Sequence, residues 1–202
     1  MSLSEEVIER NMNIVKRIVD NFDEPRRKQV ARMLEGLVGE EFFTAPASSK
    51  EEYHNCFPGG LCDHSLEVLG QLEKIAQALA PGRYDIGQTL AFVALFHDLG
   101  KTGDGDHPLY LPNEGEQNRY SRAKGNLYTT NRECLYMPIA ERSVYVLQKF
   151  GVQMSADEYL AIRLHDGQYE EANRGYRMKE PDLALLVHFA DRWATALEKA
   201  AV

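Results

Sequence analysis

Cysteine is scarce and unpatterned. Cys56, Cys62 and Cys134 make three, an odd count without CxxC spacing, which argues against a disulfide framework and a cysteine-built structural zinc site. They read as reduced, packed thiols. Long hydrophobic runs are also missing: the most apolar stretch, LAFVALF at 90–96, falls far short of the roughly 20 residues a membrane span needs. The start, MSLSEEVIER, has neither a basic segment nor an apolar one, so no secretory leader is expected and the expected compartment is the cytoplasm. Positive charge is short, with 23 Lys and Arg against 31 Asp and Glu and a formal net charge of −8. Such a chain repels a polyphosphate backbone, which argues against duplex nucleic acid as a partner; a local patch or a bound metal can still receive one or two phosphates. Sustained period-2 alternation, internal repeats and low-complexity tracts are absent, so no β-sheet of consequence is expected.

What remains is helical periodicity. Ser4 is a plausible N-cap for a helix over 4–22, with Glu5 and Glu6 in its first turn, Val7, Ile8, Ile14, Val15, Ile18 and Val19 on one face, and Asn11 and Arg17 among the polar positions. A second amphipathic helix is expected over 24–38, with Pro25 at its first position, making an N-terminal helical hairpin. The chain is irregular from Phe42 to a Pro58-Gly59-Gly60 turn, and helices then follow at about 61–80 and 86–99. Residues 101–136 read as one long loop, before helices at about 138–150, 155–165 and 181–200. The fold class is therefore all-α, a helical bundle with residues 1–45 as an N-terminal extension and 46–202 as the main domain.

The chemistry concentrates at Phe96-His97-Asp98-Leu99-Gly100-Lys101. An apolar helix ends there in adjacent imidazole and carboxylate groups, with Gly100 where a left-handed cap would sit. A carboxylate at a helix C-terminus meets partial negative charge and needs a cation nearby. A divalent metal bound by both side chains would supply it, and so would an ion pair with Lys101. His64 lies at the start of its own helix and Asp191 in the last one. Metal sites in bundles are built from such separate helices, but spacing alone does not bring these residues together.

The order His64, His97-Asp98, Asp191 resembles the H…HD…D signature of the HD phosphohydrolase superfamily. GGLCDHSLEV (59–68) is similar to the entry motif of small bacterial and phage HD proteins and of HD-type exoribonucleases. FHDLGKT (96–102) and ADRWAT (190–195) resemble the central and C-terminal elements, and the likeness spans about 54–197. It implies an HD-domain helical bundle in which His64, His97, Asp98 and Asp191 bind a divalent metal ion. That ion, Mn, Fe, Ni, Zn or Mg without distinction, activates water against a phosphate ester. Lys101 would hold the substrate phosphate, and Asp98 would bridge two ions if the site were dinuclear. Members with two metals carry a further histidine where MPIAERSVY (137–145) offers Ile139, so one ion is the expectation and two the alternative.

His165, in IRLHDGQY, resembles a later histidine element of the family and joins Asp98 and Lys101 as a candidate catalytic residue. His54 could contact substrate or cap a loop. Arg119 and Arg122, with Lys124, Tyr120 and Tyr128, form either a lid that grips phosphate and stacks a base or a solvated loop. Tyr169 could line the pocket. His188 is a partner of Asp191 or a core residue, and Trp193 is expected in the core. The expected partner is a small phosphorylated substrate, a nucleotide or short oligonucleotide. Alternatives are a 3′–5′ exonuclease on single strands and a non-catalytic metal- or nucleotide-binding module.

Overall fold

The computed structural model describes residues 3–200. Ser4 caps α1 (Glu5–Asp20) by accepting from the Val7 amide, with Glu5 and Glu6 in the first turn. Val15 and Val19 turn inward as their spacing predicts, but so does Asn11, expected on the polar face. The single helix expected over 24–38 is two, α2 (Arg26–Leu34) and α3 (Leu37–Thr44), parted at Gly36. The turn between them is tight: a Cβ on Gly39 would lie 2.0 Å from the Leu34 carbonyl oxygen. Helix α3 then continues through Phe42 and Phe43, which pack inward, so the irregular stretch begins only after Thr44.

α4 (Gly60–Leu79) follows the Pro58-Gly59-Gly60 turn, where Gly59 takes a positive φ of 81°. A π-helical turn (Ile86–Leu90) leads into α5 (Ala91–Phe96), all of whose side chains are buried. The helix is short because its apolar run ends at His97 and the chain tightens into a 3-10 turn at Leu99–Thr102. Phe92 and Phe96 on α5 pack against Phe22 and Phe42, drawing the N-terminal helices into the same continuous core as the rest of the chain.

The segment 101–136 is not one loop. It carries a small antiparallel hairpin, β1 (Tyr110–Pro112) and β2 (Tyr128–Thr130), with α6 (Arg119–Ala123) between its strands. Asp104 pins its base by accepting from the amides of Asp106, His107 and Leu135. Three-residue strands are too short for alternation to betray them. This hairpin is the only sheet among the described residues, and the fold is all-α.

Helices α7 (Ile139–Lys149), α8 (Ala156–Arg163) and α9 (Asp182–Ala200) complete the bundle. A reciprocal capping box of Ser155 and Glu158 starts α8. Among the described residues, no helix is long and apolar enough to cross a membrane.

Candidate metal centre

His64 sits at the start of the second turn of α4, His97 and Asp98 leave the C-terminal end of α5, His165 follows α8, and Asp191 lies midway along α9. The bundle turns all five inward around one point. Asp98 is at its middle: its Oδ2 lies 3.7 Å from His64 Nε2 and 3.5 Å from His97 Nε2, and its Oδ1 lies 3.4 Å from His165 Nε2. Asp191 Oδ1 is 3.1 Å from His64 Nε2. Lys101, one turn past Asp98, brings its Nζ to 2.6 Å from Asp98 Oδ2.

The three rings are held from behind. His97 Nδ1 donates to the Ala94 carbonyl and His165 Nδ1 to the Ile162 carbonyl, each at 2.8 Å. His64 Nδ1 donates to the Glu198 carboxylate at 3.0 Å. A carbonyl can only accept, so each bonded Nδ1 carries hydrogen, and in a neutral ring the lone pair is then on Nε2, facing the cluster. His64 Nε2 and His97 Nε2 are buried without an aligned hydrogen-bond partner. Buried imidazole nitrogens left in this way are expensive unless something binds them. Ligand atoms of His64, His97 and Asp191 lie within 4.8 Å of one another, as do those of His97, Asp98 and His165. An ion with bonds of about 2.1 Å needs only small inward shifts to join either set. Two imidazoles with two carboxylates suit a first-row divalent ion, so the residues fit the group.

The electrostatics agree. Burial would raise Asp98, but Lys101 and His165 outweigh it and hold the carboxyl well below the usual range. Burial pulls His97 down to about 4, leaving it neutral. It would also lower His64 and His165, yet the carboxylates of Asp191 and Glu198 raise His64 to about 9, and those of Asp166 and Asp98 raise His165 to about 10. The cluster thus attracts cations strongly enough to hold protons where an ion would otherwise sit.

Two tight backbone approaches fix the arrangement. Gly100 is not a left-handed cap; it packs under α7, where a Cβ would come within 2.3 Å of the Ile139 carbonyl oxygen. Ser143 on α7 donates to the His97 carbonyl and accepts from the Gly100 amide, both at 2.8 Å. Position 139, where two-metal relatives are expected to place a histidine, therefore serves the site through its main chain.

The model of the HD domain matches residues 61–196, more than half of the chain. The chain belongs to the HD-domain family. This places it in a superfamily of metal-dependent phosphohydrolases. No curated protein and no solved structure matches it.

In this HD domain Asp98, His165 and Asp191 of the cluster line an open cleft of about 600 Å³, while His64 and His97 are fully buried. Lys101, His54, His165 and Tyr169 are among the residues that line it. Tyr169 is 82% exposed at the rim, whereas His54 packs its ring 4.6 Å from that of His64. Arg119 and Arg122 are not among the described residues lining the cleft. Arg119 pairs with Glu116 on the surface, and Arg122 donates to the carbonyls of Asn113 and Gly115, bracing the turn before α6. His188 donates to the His165 carbonyl at 2.7 Å and does not bond Asp191. Trp193 is 56% exposed on the outer face of α9 and is not a core residue.

Sequence reasoning missed Arg163, Arg192 and Lys199, which bring positive charge to the cleft, and Tyr53, Tyr110 and Tyr136, which supply aromatic walls. It also missed Glu198. Helical spacing held a signal for that one: 191, 195 and 198 share a face of α9.

Proposed function

We propose that this HD domain hydrolyses a phosphoester of a nucleotide or short oligonucleotide in the cleft above the cluster. His64, His97, Asp98 and Asp191 would hold one divalent ion. The observation that carries this reading is the convergence of two buried imidazole nitrogens without aligned partners on two carboxylates that, beside a lysine, line an open cleft. When bound, the ion supplies Lewis acidity to a phosphoryl oxygen and lowers the pKa of water.

The chain's own groups do the rest. Lys101 is held charged by Asp98, against the opposing effect of burial, and presents that charge to the substrate phosphate. His165, which lines the cleft with its Nε2 3.4 Å from Asp98 Oδ1, is placed to donate to a phosphate oxygen or to the departing group. Arg163, Arg192 and Lys199 attract the anionic substrate into an otherwise acidic molecule. Tyr169 offers an exposed ring at the rim for a base to stack on.

The test is phosphate release from nucleoside mono-, di- and triphosphates, cyclic nucleotides and dinucleotides, with Mn, Ni, Zn or Mg supplied. Hydrolysis of at least one class, dependent on added metal and abolished in Asp98→Ala, is the expected result. No turnover across the panel by metal-loaded protein would overturn the enzymatic reading and favour a binding module.

A further inference from the structure

His64 differs from His97 and His165 in what holds it: a carboxylate, not a main-chain carbonyl. That carboxylate, Glu198, has a side chain only 8% exposed. Among the described residues no Lys or Arg pairs with it; its partners are the His64 ring and the Asn55 amide, 3.2 Å away.

The support behind it is elaborate. Asn55 Nδ2 also faces Asp63 Oδ2 at 3.3 Å, and Asn11 Nδ2 on α1 donates to Asp63 Oδ1 at 2.9 Å. Asn55 takes φ of 44°, in the left-handed region that few residues other than glycine adopt. Its carbonyl accepts from the Ala47 amide and lies so near Gly60 that a Cβ there would approach to 2.1 Å. The strained residue is thus clamped from two sides, with its amide held toward Glu198.

We propose that Glu198 is the positioning residue of the metal centre. It holds His64 with the Nε2 lone pair directed at the site, and Asn55, Asp63 and Asn11 anchor it, so that α1 takes part in metal binding although it lies outside the matched family region. This rests on the metal-centre reading above. Carboxylates behind a ligating histidine fix its tautomer and raise its basicity, and their loss typically costs about 10–100-fold in metal affinity.

The test is Co(II) binding by calorimetry, with the visible d–d spectrum, for wild type, Glu198→Leu, Glu198→Gln, Asn11→Ala and His64→Ala. Melting of the metal-free proteins serves as a fold check. Glu198→Leu should bind about 10–100-fold more weakly with altered d–d bands. Its metal-free melt should fall, because the buried His64 Nδ1–H loses its acceptor, so binding is compared at a temperature where circular dichroism shows the variant folded. Glu198→Gln keeps an acceptor for Nδ1 and should recover part of the affinity, remaining severalfold below wild type. Asn11→Ala should show a smaller loss in the same direction.

Wild-type affinity and spectrum in folded Glu198→Leu would overturn the proposal while leaving the metal centre intact. If that variant does not fold, wild-type affinity in Glu198→Gln does so alone. Absence of binding by wild type, or unchanged binding in His64→Ala, would instead overturn the metal-centre reading beneath it.

Discussion

At the scale of single residues, Lys101 and Asp98 have separable duties although they touch. Lys101→Ala should lower turnover by roughly 100-fold or more, because a charge aimed at the phosphate is lost. Metal content should stay near wild type, since the ligands remain; elemental analysis beside a phosphate-release assay checks both. Asp104 is a purely structural counterpart. Backbone amides of Asp106, His107 and Leu135, acting against burial, hold its carboxyl below the ordinary range. A group lowered on folding stabilises above its unfolded pKa and loses that contribution as pH falls toward the folded value. Asp104→Ala should therefore cost roughly 2 kcal/mol at pH 7, and the gap to wild type should begin to narrow below about pH 4 and go on shrinking as the pH falls further in urea titrations. His97 and Asp98 were conspicuous in the sequence as an imidazole–carboxylate pair ending an apolar helix, whereas His64 and Asp191 were singled out only by the likeness to the HD signature. Arg119 and Arg122 misled because a cluster of charge does not show where its partners are; here Glu116 and two carbonyls lie close by in the chain.

Among the elements, the turn after α5 sets the geometry. Gly100 lets that turn lie flush beneath α7, and Ser143 bonds both of its sides. Gly100→Ala should push α7 away, destabilise by about 1–3 kcal/mol or more, and reduce metal content in the folded fraction. Thermal melts with elemental analysis measure both. The major helices were legible because apolar spacing and caps mark them: Ser4 for α1, Pro-Gly-Gly before α4, the apolar run of α5. The split between α2 and α3 was hidden because apolar spacing continues across Gly36 and the break follows from a close backbone approach. The hairpin in 101–136 was hidden because its order comes from asparagine and aspartate side chains bonding to the main chain, with Asn113 donating to the Asn126 carbonyl and Asn131 to that of Pro108. Such bonds have no period.

For the whole molecule, the N-terminal helices are bound to the rest of the bundle by more than apolar contact. Arg26 on α2 pairs with the buried Glu158 of α8 at 2.7 Å and lies 4.3 Å from the centre of the Phe92 ring on α5. Arg26→Ala would leave that carboxylate without its cation and should cost roughly 2–4 kcal/mol in urea unfolding, with a single transition retained. The central claim concerns the molecule as assembled, because α4, the turn after α5, and α9 meet at the cluster only when the bundle is folded. Elemental analysis of purified wild type beside His64→Ala, at matched circular dichroism, tests it most directly. About one divalent ion per wild-type chain, lost from folded His64→Ala, is the expected result. A wild-type chain that takes up no metal under any loading condition, or a His64→Ala variant that keeps a full complement, would contradict the metal centre and the hydrolytic chemistry built on it.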